Sequence, residues 1–533
     1  MQSNKALIDS GDTAIGIEFG STRIKAVLVD QQGNILASGG VNWENQFIDG
    51  IWTYSQQAIR QGLQQAYQAL AQSVQQQYHT NLTSARAIGI SGMMHGYLPF
   101  DSQNNLLVPF RTWRNNFTAE SSQKLTALFN YPIPQRWSIA HLYQAILRRE
   151  AHVAHIDYLT TLAGYVHWLL SGEKVLGIGE ASGMFPIDPH TQSYQQSMLD
   201  DFDTLIAAQN YRWKIKKILP RVLVAGQCAG CLTDAGARLL DPSGQLQAGI
   251  KMCPPEGDAG TGMVATNSIR ETTGNISVGT SAFAMVVLEK ALSNVYEQLD
   301  MVTTPAGKPV AMAHANNCTS DINAWIALFH QTLTVFGVKA DIDQVYETLF
   351  LHALEGDADC GGLLSYGFYS GEHNVGLTAG CPTFMHPANS RFNLANFIRV
   401  HLYSAFGAMK LGMDILMQRE NVAVTQILAH GGMFKTKQVA SHILAGALNV
   451  PIAVMDTAAE GGAWGIALLA NYLAHAPAQS LEQYLNETVF KQTALSVSRP
   501  DSTTARGYAR FMQRYVRGLP VAQAAATFSS DQQ

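Results

Sequence analysis

One pattern occurs twice in the sequence and limits the fold more than any other feature. An apolar segment leads into a short turn of glycine and hydroxyl residues, and a second apolar segment follows. The first copy spans residues 14–29, with Gly20-Ser21-Thr22 at the turn, and the second starts at residue 275, with Gly279-Thr280-Ser281 at the turn. Two apolar runs joined by such a turn are typical of antiparallel strands. The repetition predicts two copies of one architecture, although residue identity between the halves is low.

The chain length and the spacing of its segments favour a multi-domain α/β fold. A chain of 533 residues is too long for one ordinary core. Helix-period segments alternate with short apolar runs after each copy of the pattern, which indicates mixed sheets flanked by helices. We predict strands over residues 87–90, 425–429 and 450–455, helices over 54–78, 139–147, 159–170, 394–419, 439–448, 460–470 and 503–518, and a frayed tail over 519–533.

The composition excludes several classes of function. Hydrophobic residues make up 47% of the chain, charged residues 14%, and the net charge is −5. The low charged fraction beside an ordinary apolar content argues against disorder, and the net charge gives no basic field that would attract nucleic acid or an anionic membrane. The first residues lack the apolar core of a signal peptide, and no run of roughly 18 apolar residues occurs. We therefore expect no nucleic-acid partner and no membrane span.

The six cysteines are scattered and do not form a disulfide framework. Their distribution favours reduced thiols in a cytoplasmic protein. Cys228 and Cys231 have the spacing of a metal or redox pair, but no second pair of ligands accompanies them. We therefore favour buried structural cysteines at these two positions.

The two glycine turns are candidate phosphate sites. Backbone N–H groups and the hydroxyls of Ser21 and Thr22 can hold phosphate oxygens, because glycine lets a ligand approach the backbone. Glu18 stands two residues before Gly20, where a carboxylate can meet a phosphate-bound Mg²⁺ through water. Each turn alone is better explained as an ordinary β-turn. Two such turns in one chain favour a pair of hairpins that grip a polyphosphate.

Three further segments carry polar groups suited to a substrate. Gly431-Gly432 follow a predicted strand and precede a helix, which suits a base or ribose, although a tight turn explains them as well. Asp258 stands among small residues and suits either a general base or a helix N-cap. Met94-His95 and the segment Trp113–Asn116 combine apolar surface with hydrogen-bonding groups, as a polyol requires, although a buried Trp or His explains each singly.

The order of these motifs resembles that of the FGGY carbohydrate kinases, which belong to the actin-like ATPase (ribonuclease H-like) superfamily. The resemblance runs from about residue 13 to about residue 475 and rests on Glu18-x-Gly20-Ser21-Thr22, Met94-His95-Gly96, Gly257-Asp258, Val278-Gly279-Thr280, Gly431-Gly432 and Glu460-Gly461. Ser91–Gly96 and Tyr369–Glu372 are similar to segments of the xylulokinase branch. The resemblance implies an α/β fold of two actin-like domains, residues 13–255 and 256–515, with an interdomain cleft.

The resemblance also implies an activity. A kinase of this family transfers the γ-phosphate of ATP, with Mg²⁺, to a primary hydroxyl of a sugar, and a xylulose-like ketopentose is favoured here. It implies Asp258 as the general base, and Glu18 and Asp258 at the metal. It assigns ATP contacts to Gly20, Ser21, Thr22, Gly279, Thr280, Gly431, Gly432 and Met433, and sugar contacts to Met94, His95, Trp113, Asn115 and Asp258.

The chain departs from the family pattern at two candidate positions. Glu18 stands where the family usually carries Asp, and Arg114-Asn115-Asn116 stands where xylulokinases usually carry an acid. A kinase for another sugar or polyol is therefore one alternative. A non-catalytic actin-like nucleotide-binding protein is another, which the retention of Asp258 and of the sugar-loop residues disfavours. A homodimer is the default expectation for the assembly.

Overall fold

The computed structural model describes residues 2–436, 438–455 and 461–530. Its strands are β1 (Ala14–Phe19), β2 (Arg23–Val29), β3 (Ile35–Asn42), β4 (Gln46–Ile48), β5 (Ile51–Thr53), β6 (Ala87–Gly92), β7 (Leu98–Phe100), β8 (Tyr158–Thr160), β9 (Val175–Gly177), β10 (Ile187–Asp188), β11 (Ser193–Tyr194), β12 (Arg221–Leu223), β13 (Lys251–Met252), β14 (Glu256–Gly257), β15 (Thr273–Val278), β16 (Ala282–Val287), β17 (Leu299–Thr303), β18 (Pro309–Ala315), β19 (Leu364–Tyr366), β20 (Thr383–Met385), β21 (Gln426–Gly431), β22 (Ile452–Met455) and β23 (Leu495–Ser498).

The α-helices alternate with these strands along the chain. They are α1 (Gln2–Asp9), α2 (Gln56–Tyr78), α3 (Ala119–Phe129), α4 (Ser138–Leu147), α5 (Leu162–Ser171), α6 (Ile178–Ala181), α7 (Gln196–Leu205), α8 (Ile215–Ile218), α9 (Asp234–Leu240), α10 (Asp258–Ala265), α11 (Ser320–Val335), α12 (Ile342–Ala353), α13 (Leu394–Ala405), α14 (Gly407–Asp414), α15 (Val439–Leu448), α16 (Gly461–Tyr472), α17 (Leu481–Tyr484) and α18 (Ser502–Ser530).

The described residues form two compact units. The first unit comprises residues 2–269, 301–310 and 461–492, and the second comprises residues 270–300, 311–436, 438–455 and 493–530. The division predicted from the sequence, between residues 255 and 256, stays a prediction. In the compact units, the segment that carries Asp258 belongs to the first unit.

The first unit is built on a mixed sheet in the order β13-β6-β1-β2-β3. β1 pairs antiparallel with β2 and parallel with β6, so the predicted strand–turn–strand pattern forms a hairpin next to a parallel strand. Gly16 and Gly89 stand opposite each other in β1 and β6. A Cβ atom at Gly16 would lie 2.2 Å from the Ala463 carbonyl oxygen. The two glycines therefore let α16 lie directly on the sheet, at a distance that a larger residue would prevent.

The second unit repeats this arrangement with different residues. Its sheet runs in the order β17-β18-β16-β15-β21-β22-β23. β15 pairs antiparallel with β16 across the turn 279–281 and parallel with β21. The pairing therefore confirms two copies of one strand–turn–strand pattern, each with a parallel neighbour.

Most of the predicted elements are confirmed, and two are corrected. The predicted helix 394–419 is interrupted at Phe406 and ends in a π-helical segment, Ile415–Arg419. Gly407, a weak helix former, stands at the interruption, where a Cβ would lie 2.6 Å from the Tyr515 ring. The predicted frayed tail is helical to Ser530, because Ala522 and Ala526 are buried and anchor it. Residues 531–533 lie outside the described residues.

The burial of the cysteines and the length and apolarity of the helices can be compared with the predictions from the sequence. Cys228 and Cys231 are exposed, so the interpretation as buried cysteines is wrong, while Cys253, Cys318 and Cys360 are buried. Within residues 2–436, 438–455 and 461–530, none of the helices is both long enough and apolar enough to cross a membrane.

Candidate functional site

The first glycine turn is held rigidly by aromatic side chains. The backbone N–H of Gly20 donates to the Arg23 carbonyl at 3.1 Å and closes the β1–β2 turn. The indole N–H of Trp43 donates to the Gly20 carbonyl at 2.7 Å, and the Tyr54 hydroxyl donates to the Ser21 carbonyl at 2.5 Å. The Trp43 and Tyr54 rings stack with their centroids 3.9 Å apart. These two hydrogen bonds fix the carbonyl groups of Gly20 and Ser21, whereas Thr22 is exposed to solvent.

Glu18 lies beside the first turn of α10. In the sheet it stands opposite Ser91 of β6. Its Oε1 lies 2.2 Å from the position that a Cβ of Gly462 would occupy, and the Thr261 hydroxyl lies 2.9 Å from the same position. The Ser91 and Thr261 hydroxyls are 3.0 Å apart. The carboxylate of Glu18 and the hydroxyl of Thr261 therefore lie side by side in a space that only a glycine at position 462 leaves open.

Asp258 is the first residue of α10, directly after β14. Its Oδ1 accepts a hydrogen bond from the Met94 backbone N–H at 3.2 Å. A helix N-terminus favours a carboxylate because the first N–H groups and the helix dipole are positive there. Small residues of α16 let α10 pack tightly against that helix, since a Cβ at Gly465 would lie 2.0 Å from the Thr261 carbonyl oxygen. Asp258 is a solvent-exposed residue, so a substrate hydroxyl can reach it.

The surroundings of Asp258 make it a better base. Although Asp258 is accessible to solvent, the protein atoms packed around its carboxyl partly desolvate it and raise its pKa to about 6, while N–H groups of Met94 and Ala259 donate to it and lower the pKa. Exposure of the side chain allows solvent to screen part of this effect. A base whose pKa lies near neutrality suits the removal of a proton from a hydroxyl.

The segment Met94-His95-Gly96 has an unusual backbone. His95 and Gly96 both have positive φ, 67° and 100°. The His95 Nδ1 lies 3.1 Å from the Gly183 carbonyl oxygen, and the Ser138 hydroxyl donates to the Gly96 carbonyl at 2.5 Å. Met94 and His95 are each 5% exposed. Backbone strain of this kind is frequent at binding sites, where the surrounding structure maintains it.

Trp113 and Asn115 have different roles in the structure. Trp113 is 39% exposed, and its indole N–H points at the Ser21 hydroxyl at 3.3 Å. Asn115 is 3% exposed. Its Oδ1 accepts from the Trp52 N–H at 2.9 Å, and its Nδ2 donates to the carbonyls of Trp52 (2.9 Å) and Thr112 (3.0 Å). Both amide hydrogens are thus used within the protein, where they hold the β4–β5 hairpin. The predicted sugar contact at Asn115 stays a prediction.

Two buried acids next to Asp258 were not identified from the sequence. Glu256 is 1% exposed, and its carboxylate accepts from the N–H groups of Gly179 (3.3 Å) and Glu180 (2.9 Å). Burial raises the pKa of Glu256 to about 8 despite these bonds. A Cβ at Gly177 would lie 2.2 Å from Glu256 Oε1. The glycines around α6 therefore leave the space that this carboxylate fills.

Glu180 completes this group of carboxyls. It is fully buried, and its Oε2 lies 2.3 Å from where a Cβ of Gly257 would stand. Burial is the main cause that raises the pKa of Glu180 well above its ordinary value, and the charges of Asp258 and Glu256 raise this pKa further. The Thr161 hydroxyl has the opposite effect and lowers the pKa. That hydroxyl is nearby but outside hydrogen-bond geometry. An acid within the glycine-rich segment 177–183 is the signal that could have identified this residue.

In the second unit, the second glycine turn lies next to Gly431. Val278 stands opposite Gly431 in the β15–β21 pair. Gly431 has a φ of 123°, and a Cβ there would lie 1.9 Å from the Val278 carbonyl oxygen, so only glycine fits. Gly279, Thr280 and Gly432 are exposed, whereas Met433 is 4% exposed. The predicted second phosphate turn and the predicted adenosine loop thus lie next to each other, at the ends of the neighbouring parallel strands β15 and β21. Glu460, part of the family motif, lies outside the described residues.

No cluster of three or more His, Cys, Asp or Glu side chains suited to a metal occurs within the described ranges. The oxygen donors of Glu18 and Asp258 are nevertheless the type that Mg²⁺ takes. This ion usually uses one or two carboxylates together with waters and substrate phosphates, and it does not require a protein cage. The donor set in the first unit is therefore compatible with a nucleotide-bound Mg²⁺.

Both halves of the chain match domains of one family of carbohydrate kinases. Residues 13–241 match the model of the N-terminal domain of the FGGY family of carbohydrate kinases, and residues 274–474 match the model of its C-terminal domain. Together the two matches cover most of the sequence. The chain therefore belongs to the FGGY family of carbohydrate kinases.

Similar proteins include several kinases of this kind. The xylulose kinase of Haemophilus influenzae is 23% identical over 530 residues, which cover 95% of this chain and 99% of that protein. The structure of a ligand-bound xylulose kinase from Lactobacillus acidophilus matches with a TM-score of 0.78 at 17% identity, over 97% of this chain and 99% of that one. The structure of a gluconate kinase from Lactobacillus acidophilus matches with a TM-score of 0.78 at 18% identity, over 97% of this chain and 99% of that one. These structures share the fold, and the fold alone does not distinguish their substrates.

Proposed function

We propose that this sugar kinase transfers the γ-phosphate of ATP to a primary hydroxyl of a ketose, with Asp258 as the general base. The observation that carries the proposal is the position of Asp258. It is exposed at the N-terminus of α10, and its carboxylate is oriented by the N–H of Met94 at 3.2 Å. Met94 and His95 belong to the strained segment beside it, which we propose as part of the sugar site.

The proposed reaction needs one proton transfer. Asp258 accepts the proton of the attacking hydroxyl, and the hydroxyl oxygen forms a bond to the γ-phosphorus. The bond between this phosphorus and the β,γ-bridging oxygen breaks, and ADP leaves with the electron pair. The raised pKa of Asp258, about 6, supports this role because the carboxylate is still ionised near neutral pH and yet takes up a proton readily.

We propose nucleotide contacts at three glycine segments of the chain. Gly20, Ser21 and Thr22 form the first phosphate loop, Gly279 and Thr280 the second, and Gly431, Gly432 and Met433 the adenosine loop. Mg²⁺ would be held by Glu18 and Asp258 and, when bound, neutralises charge on the phosphate oxygens. Gly462 leaves the space that the Glu18 carboxylate occupies beside Thr261, so the longer side chain at this position is accommodated.

A xylulose-like ketopentose is the favoured acceptor. The support is the similarity to the xylulose kinase of Haemophilus influenzae over nearly the whole of both chains. The gluconate kinase structure with an equal TM-score keeps other sugars or polyols as alternatives. We propose Met94, His95 and Trp113 as sugar contacts, because Trp113 offers an exposed ring and an N–H directed at the first phosphate loop.

A coupled ADP-release assay tests the proposal. The protein is given Mg²⁺-ATP with a panel of pentuloses, hexuloses, polyols and sugar acids. We expect strong turnover with a ketopentose and weak or no turnover with the other acceptors. Strong turnover with a sugar acid alone would contradict the proposed substrate class, and silence across the panel in a protein that binds ATP would contradict the proposed transfer.

A further inference from the structure

The segment Asn316–Thr319 has no role in the function proposed above, yet it connects two loops of the second unit. It follows β18 and leads into α11. At one end it contacts the glycine turn 279–281, and at the other end it contacts the loop 369–372 that follows β19.

The end at Thr319 holds the two carbonyl groups of the glycine turn. The Thr319 hydroxyl donates to the Gly279 carbonyl at 2.8 Å, and the Thr319 backbone N–H donates to the same oxygen at 3.2 Å. The Cys318 N–H donates to the Thr280 carbonyl at 2.8 Å. Both carbonyl oxygens of the turn are therefore directed towards residues 318 and 319.

This orientation decides which groups of the turn can meet an anion. In a planar trans peptide the N–H points opposite to the C=O. The N–H groups of Thr280 and Ser281 share their peptide planes with the Gly279 and Thr280 carbonyls, so they point away from residues 318 and 319. Gly279 and Thr280 are exposed, and the nearest atom to a Cβ at Gly279 would be 3.9 Å away. Two successive N–H groups on an exposed turn, both directed away from the residues that hold its carbonyls, can form an anion-binding concavity.

The other end of the segment is fixed by Asn317. Its Oδ1 accepts from the N–H groups of Tyr369 and Ser370, both at 2.9 Å. Its backbone N–H and its Nδ2 both donate to Glu372 Oε2 at 3.2 Å. Asn317 is 6% exposed and Glu372 is fully buried. The side chain of Asn317 thus connects residues 369–372 to the segment that holds the glycine turn.

We propose that Thr319 and Asn317 are positioning residues for phosphate binding. Thr319 keeps the Gly279 carbonyl away from the ligand, and the neighbouring Cys318 N–H does the same for the Thr280 carbonyl. The N–H groups of Thr280 and Ser281 then face the phosphate oxygens of a nucleoside triphosphate. Asn317 maintains the position of Thr319. This inference rests on the proposed role of the glycine turn in binding ATP.

Calorimetric binding of Mg²⁺-ATP, Mg²⁺-ADP and adenosine tests the inference. Thr319→Val removes one hydrogen bond, which is worth about 1 kcal/mol, so we expect the Kd for ATP and ADP to rise about fivefold. The Kd for adenosine is expected to stay unchanged, because adenosine has no phosphate. Thr319→Ser keeps the hydroxyl and is expected to restore wild-type binding. Thr332→Val, an exposed threonine in α11, is the matched control.

Three results separate the possible explanations. Equal binding of ATP and ADP by Thr319→Val and the wild type would overturn the inference. A rise in the Kd of adenosine by the same factor would also overturn it, since it would indicate a general structural role. Failure of the wild-type protein to bind Mg²⁺-ATP would instead refute the proposed function, and this inference with it.

Discussion

Replacement of Glu372 by glutamine is expected to change how the stability of the second unit depends on pH. Glu372 is fully buried, and Asn317 donates two hydrogen bonds to its Oε2. Burial raises the pKa of Glu372 from 4.5 to about 7. The hydrogen bonds from Asn317 lower the pKa, but their effect is smaller than that of burial. The folded protein therefore holds the carboxyl proton more tightly than the unfolded chain does.

The magnitude follows from the difference between the two pKa values. A raised carboxyl pKa stabilises the fold fully below 4.5, and this contribution is lost as the pH rises through about 7. A difference of about 2.5 units at 1.36 kcal/mol per unit gives at most about 3 kcal/mol. As the pH rises from 4.5 to about 8, the unfolding free energy of the second unit should fall by up to about 3 kcal/mol more in the wild type than in Glu372→Gln.

Hydrogen exchange followed by mass spectrometry resolves the second unit from the first. The opening free energy of peptides from β15 and β16 is measured for both proteins across this pH range, after correction for the intrinsic exchange rate. Glu347→Gln, which alters an exposed glutamate of the same unit, is the control and should follow the wild type. Parallel pH curves for the wild type and Glu372→Gln would refute the reasoning.

Three further substitutions test other parts of the structure. Gly431→Ala should weaken ADP binding and lower the melting temperature, because the new Cβ would lie 1.9 Å from the Val278 carbonyl oxygen; unchanged calorimetric and melting data would contradict this. Asn115→Ala should lower the unfolding free energy by about 2 kcal/mol, since it removes three hydrogen bonds to buried backbone, and an unchanged denaturation midpoint would argue against a structural role. Glu256→Gln presents an amide to the N–H of Gly179 or Glu180 and should destabilise the protein by about 1–3 kcal/mol, whereas an equal or higher midpoint would contradict it.

The architecture could be predicted where the determining interactions are local. The turn chemistry at Gly20 and Gly279, together with the apolar runs on either side, is sufficient to predict both hairpins. The helix predicted over residues 439–448 matches α15 at both ends. The interruption of the predicted helix 394–419 could not be found in this way, because it occurs beside Gly407, where a ring from the distant residue Tyr515 packs.

The site was only partly predictable because burial and pairing depend on tertiary contacts. Asn115 has the polar character of a sugar contact, and its hydrogen bonds to Trp52, 63 residues away in the sequence, could not be predicted from that character. Glu256 was not identified, since its acceptor role depends on N–H groups of residues 179 and 180, which are 77 and 76 residues away. The position of Asp258 was predictable, because a lone acid among small residues before an apolar run is typical of a helix start.

The role of Asp258 can be tested most directly by single-turnover phosphate transfer. The wild-type protein and Asp258→Asn are mixed with γ-labelled Mg²⁺-ATP and the best acceptor from the substrate panel, and labelled sugar phosphate is measured after rapid quenching. We expect at least about a hundredfold slower transfer in the variant, since a positioned base contributes on the order of 10²–10⁴ in rate, while the Kd for ATP changes little. Transfer at the wild-type rate by Asp258→Asn would contradict the account of the mechanism.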